Sequence, residues 1–174
     1  MMKKTKWEDI TMKTVEQIIE RLGLVPLEGE GGMFVSTYNH EEKLESGAPM
    51  GGAIYYLLHG KAFSHFHVLT GDEIWLFHGG DPVELVTLWP DGSWKVTRLG
   101  MDLAAGEVPQ ALVPKGVWMG ACLEEGGDYA LMSTVTVPGY TEGAYTHGNK
   151  KELCAKWPEA EAWIERLTGE AIFF

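Results

Sequence analysis

A chain of 174 residues is long enough for one domain with a substantial buried core and short for two. Its formal net charge of -11, with no run of Lys or Arg beyond Lys3-Lys4, would repel phosphate backbones and anionic headgroups, which argues against nucleic acid and membrane partners. A hydrophobic content of 45% with 22 glycines and 8 prolines fits a turn-rich globular fold rather than a disordered chain.

In chain order, Lys3-Lys4 is followed by Thr5, Lys6, Trp7, Glu8 and Asp9 instead of an apolar stretch, so no secretory signal is read. Cys122 and Cys154 form no CxxC pair or disulfide-dense pattern, and a cytoplasmic location is expected. Val15, Ile18, Ile19 and Leu22 recur at helical spacing, with Thr14 and Gln17 as a capping box and Gly23 as the stop. Between this helix and the C-terminal end, short β-rich runs are cut by turns: 53–58, 62–69, 73–77, 83–88, 93–99, 110–113, 117–123 and 129–137. Pro90-Asp91-Gly92, Pro114-Lys115-Gly116 and Gly126-Gly127-Asp128 supply three of those turns. Pro158 then opens a second helix, whose apolar stripe is Ala160, Trp163, Ile164 and Leu167. The longest clearly apolar run, 53–58, is far short of the roughly 20 residues that span a bilayer. An all-β sandwich or barrel with short N- and C-terminal helices is expected, as one domain over 1–174.

His65 and His67 lie two apart on one expected strand, so period-2 alternation sends both imidazoles from the same face. Glu73 opens the next strand and could join them. Two histidines and a carboxylate suit iron, nickel, zinc or manganese, and equally serve as hydrogen-bonding residues of an organic pocket. Trp75, Phe77 and Trp118 sit on strands where a flat ring could stack on a sugar or nucleobase, or fill core. If Glu73 faces inward, Trp75 and Phe77 share its face and His78 does not. Tyr38, Tyr140 and Tyr145 place phenols in loops or at strand ends. Gly31-Gly32 could bring backbone amides to an anionic group or form a plain turn.

His65-Phe66-His67, Glu73 and Gly80 resemble the first cupin motif, and Gly106, Pro114 and Gly116 the second, with Met119 where the family's last ligand histidine falls. The chain is most similar to a subfamily of single-domain cupins, through Leu22-Gly23-Leu24, Glu30-Gly31-Gly32, Thr37-Tyr38, Asp72-Glu73-Ile74-Trp75, Pro90-Asp91-Gly92-Ser93-Trp94, Val113-Pro114-Lys115-Gly116-Val117-Trp118 and Pro138-Gly139. The resemblance implies a double-stranded β-helix, or jelly-roll barrel, that binds a small polar metabolite such as a sugar, nucleotide-sugar or organic acid. It also implies a homodimer. A second argument for the dimer is that 53–58 is apolar on both faces and has one to spare. Three activities stay open. A divalent metal could be held by His65, His67 and Glu73, with Met119 leaving a position for water or substrate. Similarity to metal-free sugar-nucleotide epimerases would instead make His67 a general base and Tyr140 the acid opposite it. The third is a non-catalytic binding protein. In each, Trp75, Phe77, Trp118, Met119 and Tyr38 are the expected ligand contacts.

Overall fold

The computed structural model describes residues 14–173; residues 3–9, read above as lacking a secretory signal, lie outside them. The first element, α1 (Val15–Leu22), forms as its stripe dictates. The Thr14 hydroxyl accepts from Gln17 N–H, and Gly23 ends the helix in a left-handed conformation at φ 68°. Eleven strands follow, and they include all eight expected ones: β1 (Val25–Pro26), β2 (Met33–Asn39), β3 (Gly52–His59), β4 (Phe63–Leu69), β5 (Asp72–Gly80), β6 (Val83–Leu88), β7 (Trp94–Leu99), β8 (Gln110–Val113), β9 (Trp118–Leu123), β10 (Tyr129–Val137) and β11 (Tyr145–His147). The chain closes with α2 (Lys150–Lys156), a single 3₁₀ turn at Pro158–Ala160, and α3 (Glu161–Arg166).

The strands form two antiparallel sheets, one ordered β1-β2-β3-β10-β5-β8 and the other β11-β4-β9-β6-β7. Successive strands cross repeatedly between the sheets, which is the jelly-roll arrangement expected above. Alternating inward residues such as Tyr56, Leu58, Trp75, Leu85, Met119, Ala121 and Met132 fill the space between the sheets. On the outside of the second sheet, Phe66, Val86 and Leu88 pack under Leu153, Trp157, Ile164 and Leu167 of the C-terminal helices. On the outside of the first, Ile18 of α1 packs with Leu24, Met33 and Leu57. On the outer face of β3, Leu57 is thus covered by its own chain, while Ala53 and Tyr55 stay partly exposed. No helix among the described residues is long and apolar enough to cross a membrane.

Candidate functional site

One end of the space between the sheets is left open as a cavity of about 390 Å³. Its mouth is crossed by the segment before β2, which contributes Leu27, Glu28 and Glu30. Gly31 and Gly32 allow that crossing. Both have positive φ, at 105° and 68°, and a Cβ on either would run into the backbone carbonyl of Phe63 or Leu57. The amide N–H of Gly31 donates to Leu27 O and that of Gly32 to Ile172 O, so neither is free for an anion. The segment is pinned further where Tyr56 Oη donates to Gly31 O at 2.9 Å and Ser64 Oγ to Glu30 Oε1 at 2.7 Å.

His67 enters from β4, but His65 does not. Ser64 lies opposite Ala121 and His67 opposite Met119, so His65 and Phe66 together face the single residue Gly120. This β-bulge inverts the alternation: Ser64 and His67 share the inner face, while Phe66 joins the outer cluster. Gly120 makes room for it, since a Cβ there would stand 3.2 Å from Phe66 Cγ, Leu167 Cδ1 and Ser64 O. The His65 ring does not line the cavity. It stacks on His147 with centroids 3.6 Å apart, and its Nδ1 donates to Phe66 O at 2.9 Å. The expectation that both imidazoles leave one face is thus corrected. His67 Nδ1 sits 2.8 Å from His65 O, and because a carbonyl only accepts, Nδ1 carries the proton and Nε2 keeps a lone pair. Nε2 has no hydrogen-bond partner among the described residues.

Glu73 reaches the cavity from β5, in the facing sheet, and is 6% exposed. Burial raises its carboxyl from an ordinary value of 4.5 to about 7; His67 opposes that rise, nearby Glu30 adds to it, and hydrogen bonds from Thr134 and Trp75 moderate it. Thr134 and Thr136 of β10 add hydroxyls to the same wall.

Of the expected ligand contacts, none lines the cavity. Trp75 shares the inner face with Glu73, as its spacing predicts, but is 1% exposed, edge-on to Tyr56, with its indole N–H committed to Glu73. Phe77 and Met119 are core, at 8% and 1% exposure. Trp118 alternates with Met119 and so lies on the outer face under the C-terminal helices. Tyr38 is turned out by a second bulge: Ser36 pairs with Ile54 but Tyr38 with Ala53, which leaves Ser36 and Asn39 on the cavity side. Tyr140, the expected acid, does line the mouth, 53% exposed and with its phenol held above the ordinary range by partial burial and by Glu142 and Glu30.

Tyr145 was expected only as a phenol able to act as acid or hydrogen-bond donor, and Glu28, Glu30, Thr134 and Thr136 were given no role. Tyr145 stacks on His67 at 5.0 Å between centroids, and its hydroxyl lies 3.1 Å from His147 Nδ1. Burial and Glu30 hold its phenol far above the ordinary range. The Glu30-Gly31-Gly32 tripeptide was the signal for Glu30, since paired glycines mark a close backbone approach.

A metal held by His65, His67 and Glu73 does not fit this donor arrangement, because the bulge removes His65 and Met119 stands across from His67. Among the described residues no three His, Cys, Asp or Glu side chains are grouped so as to hold a metal ion.

A two-sheet barrel with an interior cavity, lined by an imidazole and a carboxyl from opposite sheets, defines a jelly-roll fold built around a small-molecule-sized pocket. The chain belongs to the family described as Cupin superfamily (DUF985), whose profile matches residues 16–147. It is similar to a protein of Shewanella oneidensis of known crystal structure, with 34% identity and a TM-score of 0.85 over 91% of this chain and 99% of that one. A hypothetical protein from Leishmania major is similar at 28% identity and a TM-score of 0.83, over 90% of this chain and 99% of that one. An uncharacterised protein of Saccharomyces cerevisiae shares 32% identity over 129 residues, so the chain spans 64% of that relative's length.

Proposed function

We propose that the protein is a metal-independent proton-transfer catalyst, of the isomerase or epimerase type, acting on a small polar metabolite that carries a carbonyl group beside a hydroxyl-bearing carbon. The observation that carries this reading is the approach of His67 and Glu73 to one buried cavity from opposite sheets, one with a free Nε2 lone pair and the other titrating at about 7. A lone pair to take the proton and an acid to protonate the carbonyl oxygen are what abstraction of a proton beside a carbonyl requires.

In the proposed reaction His67 Nε2 takes the proton from the carbon next to the carbonyl. The C–H electron pair becomes a carbon–carbon double bond, and protonated Glu73 gives its proton to the carbonyl oxygen, which leaves a neutral enediol, an imidazolium and a carboxylate. Return of the proton from His67 to the neighbouring carbon, as Glu73 recovers one from the enediol hydroxyl, moves the carbonyl along the chain. Donation from Tyr140 to the opposite face of the original carbon would invert it, as Glu73 recovers its proton from the oxygen it had protonated and the proton on His67 passes to Tyr140 through solvent. No further reactant is consumed. Leu27, Phe34, Ile54 and Leu69 supply apolar walls that keep the intermediate from bulk water. A volume of about 390 Å³ lies near the low end for ligand pockets and favours a monosaccharide-sized metabolite over a whole nucleotide-sugar.

The test can be run before any substrate is named. The protein is incubated with a pool of small polar metabolites in D₂O, returned to H₂O, and the pool is searched by mass spectrometry for carbon-bound deuterium. Label that appears with the parent protein and is lost with His67→Asn and Glu73→Gln supports the reading. The absence of protein-dependent label, or label unchanged in His67→Asn, overturns it.

A further inference from the structure

We infer that the metabolite bound in this cavity is positively charged, an amine-bearing polar molecule such as an amino sugar, because its walls present carboxyl groups and aromatic faces and, among the described residues, no lysine or arginine. This deepens the proposed function by taking the same cavity as the binding site. Glu28, Glu30 and Glu73 line it, and among the described residues no Lys or Arg does. His67 and Glu73 exchange protons between themselves and the ligand, and Glu28 and Glu30 add two further carboxyl groups to the same lining. A phosphate or carboxylate would enter beside these carboxyl groups, without a guanidinium, an ammonium or a free amide of Gly31 or Gly32 among the described residues to receive it. Beside the hydroxyls of Ser36, Thr134 and Thr136, the lining offers carboxyl oxygens and the unpartnered Nε2 of His67, which is 2% exposed, as acceptors. An ammonium group has three donors and no acceptor, which complements that wall. The rings of Phe34, Tyr140 and Tyr145 also line the cavity, and aromatic faces attract cations when water is excluded. The acidic walls and the aromatic faces are separate features of the sequence, and both select the same sign of charge.

The experiment compares three probes built on one ring: glucosamine, glucose and glucuronate. Each is titrated into the full chain at pH 6.5, where the amino group of glucosamine is protonated, by isothermal calorimetry. Glucosamine is expected to bind about ten-fold more tightly than glucose, the worth of one charge-assisted hydrogen bond, and glucuronate to show no saturable binding. Glu30→Gln keeps an oxygen to accept from Ser64 and should bring glucosamine to the affinity of glucose; Glu28→Gln, at an exposed position, should do so in part. Equal or tighter binding of glucose or glucuronate, no binding of any probe, or a preference that survives both substitutions overturns the inference. The readout is binding alone, so its failure leaves the proton-transfer reading to be judged separately by the deuterium experiment.

Discussion

Trp75 donates its indole N–H to Glu73 Oε2 at 3.0 Å, across two positions of the same strand, and so ties the buried carboxyl to the barrel core. The relationship turns Trp75 from an expected ligand contact into a positioning residue and leaves Glu73 with an unusual titration.

The first prediction is a stability dependence on pH. Glu73 binds its proton more tightly in the folded chain, at about 7, than at its ordinary value of 4.5. Its contribution is therefore fully present below about pH 4.5 and lost as pH rises through about 7, amounting to about 3 kcal/mol. Urea unfolding of the parent and of Glu73→Gln should give a stability difference that moves by that amount in favour of the Gln variant between pH 4.5 and 8. A difference that does not change with pH would contradict the burial of an ionisable Glu73.

The second concerns metal. Because the bulge at His65-Phe66 takes His65 out of the cavity, isothermal titration of chelator-treated protein with iron, nickel, zinc and manganese should show no stoichiometric site that depends on His65. Tight one-to-one binding that disappears in His65→Ala would restore the three-ligand arrangement.

Much of the fold was legible because eight strands carry apolar alternation bounded by Gly and Pro turns, and because α1 has a cap, a stripe and a stop. Four elements carried weaker signals: β1 is two residues long, the last four residues of β2 are exposed, β11 is three residues long, and α2 buries only Leu153. The site was less legible than the fold because two bulges set it. Alternation correctly placed Trp75 and Phe77 on the face of Glu73, yet each bulge adds a residue that no periodicity reports, and the faces of His65 and Tyr38 follow from those extra residues. Glu28 and Glu30 come to the cavity through a loop whose course depends on Gly31 and Gly32 pressing against Phe63 and Leu57, a contact between residues far apart in sequence.

The third prediction separates packing from recognition at Trp118. Its ring belongs to the cluster beneath the C-terminal helices, so Trp118→Ala should cost about 3 kcal/mol of folding stability while leaving the affinity for any cavity ligand within about two-fold. Denaturation and calorimetry on the same preparation measure both. A stable variant with lost affinity would move Trp118 into the site.

The central claim is that His67 and Glu73 form a coupled pair in one buried cavity, and the most direct measurement is a carbon-13 NMR titration of the Glu73 carboxyl in the parent and in His67→Ala. The account predicts a midpoint near 7 in the parent. It predicts a higher midpoint in His67→Ala, because the imidazole charge favours the ionised carboxyl and its loss removes that support. A parent midpoint near the ordinary 4.5, or one that does not move when His67 is removed, would contradict it.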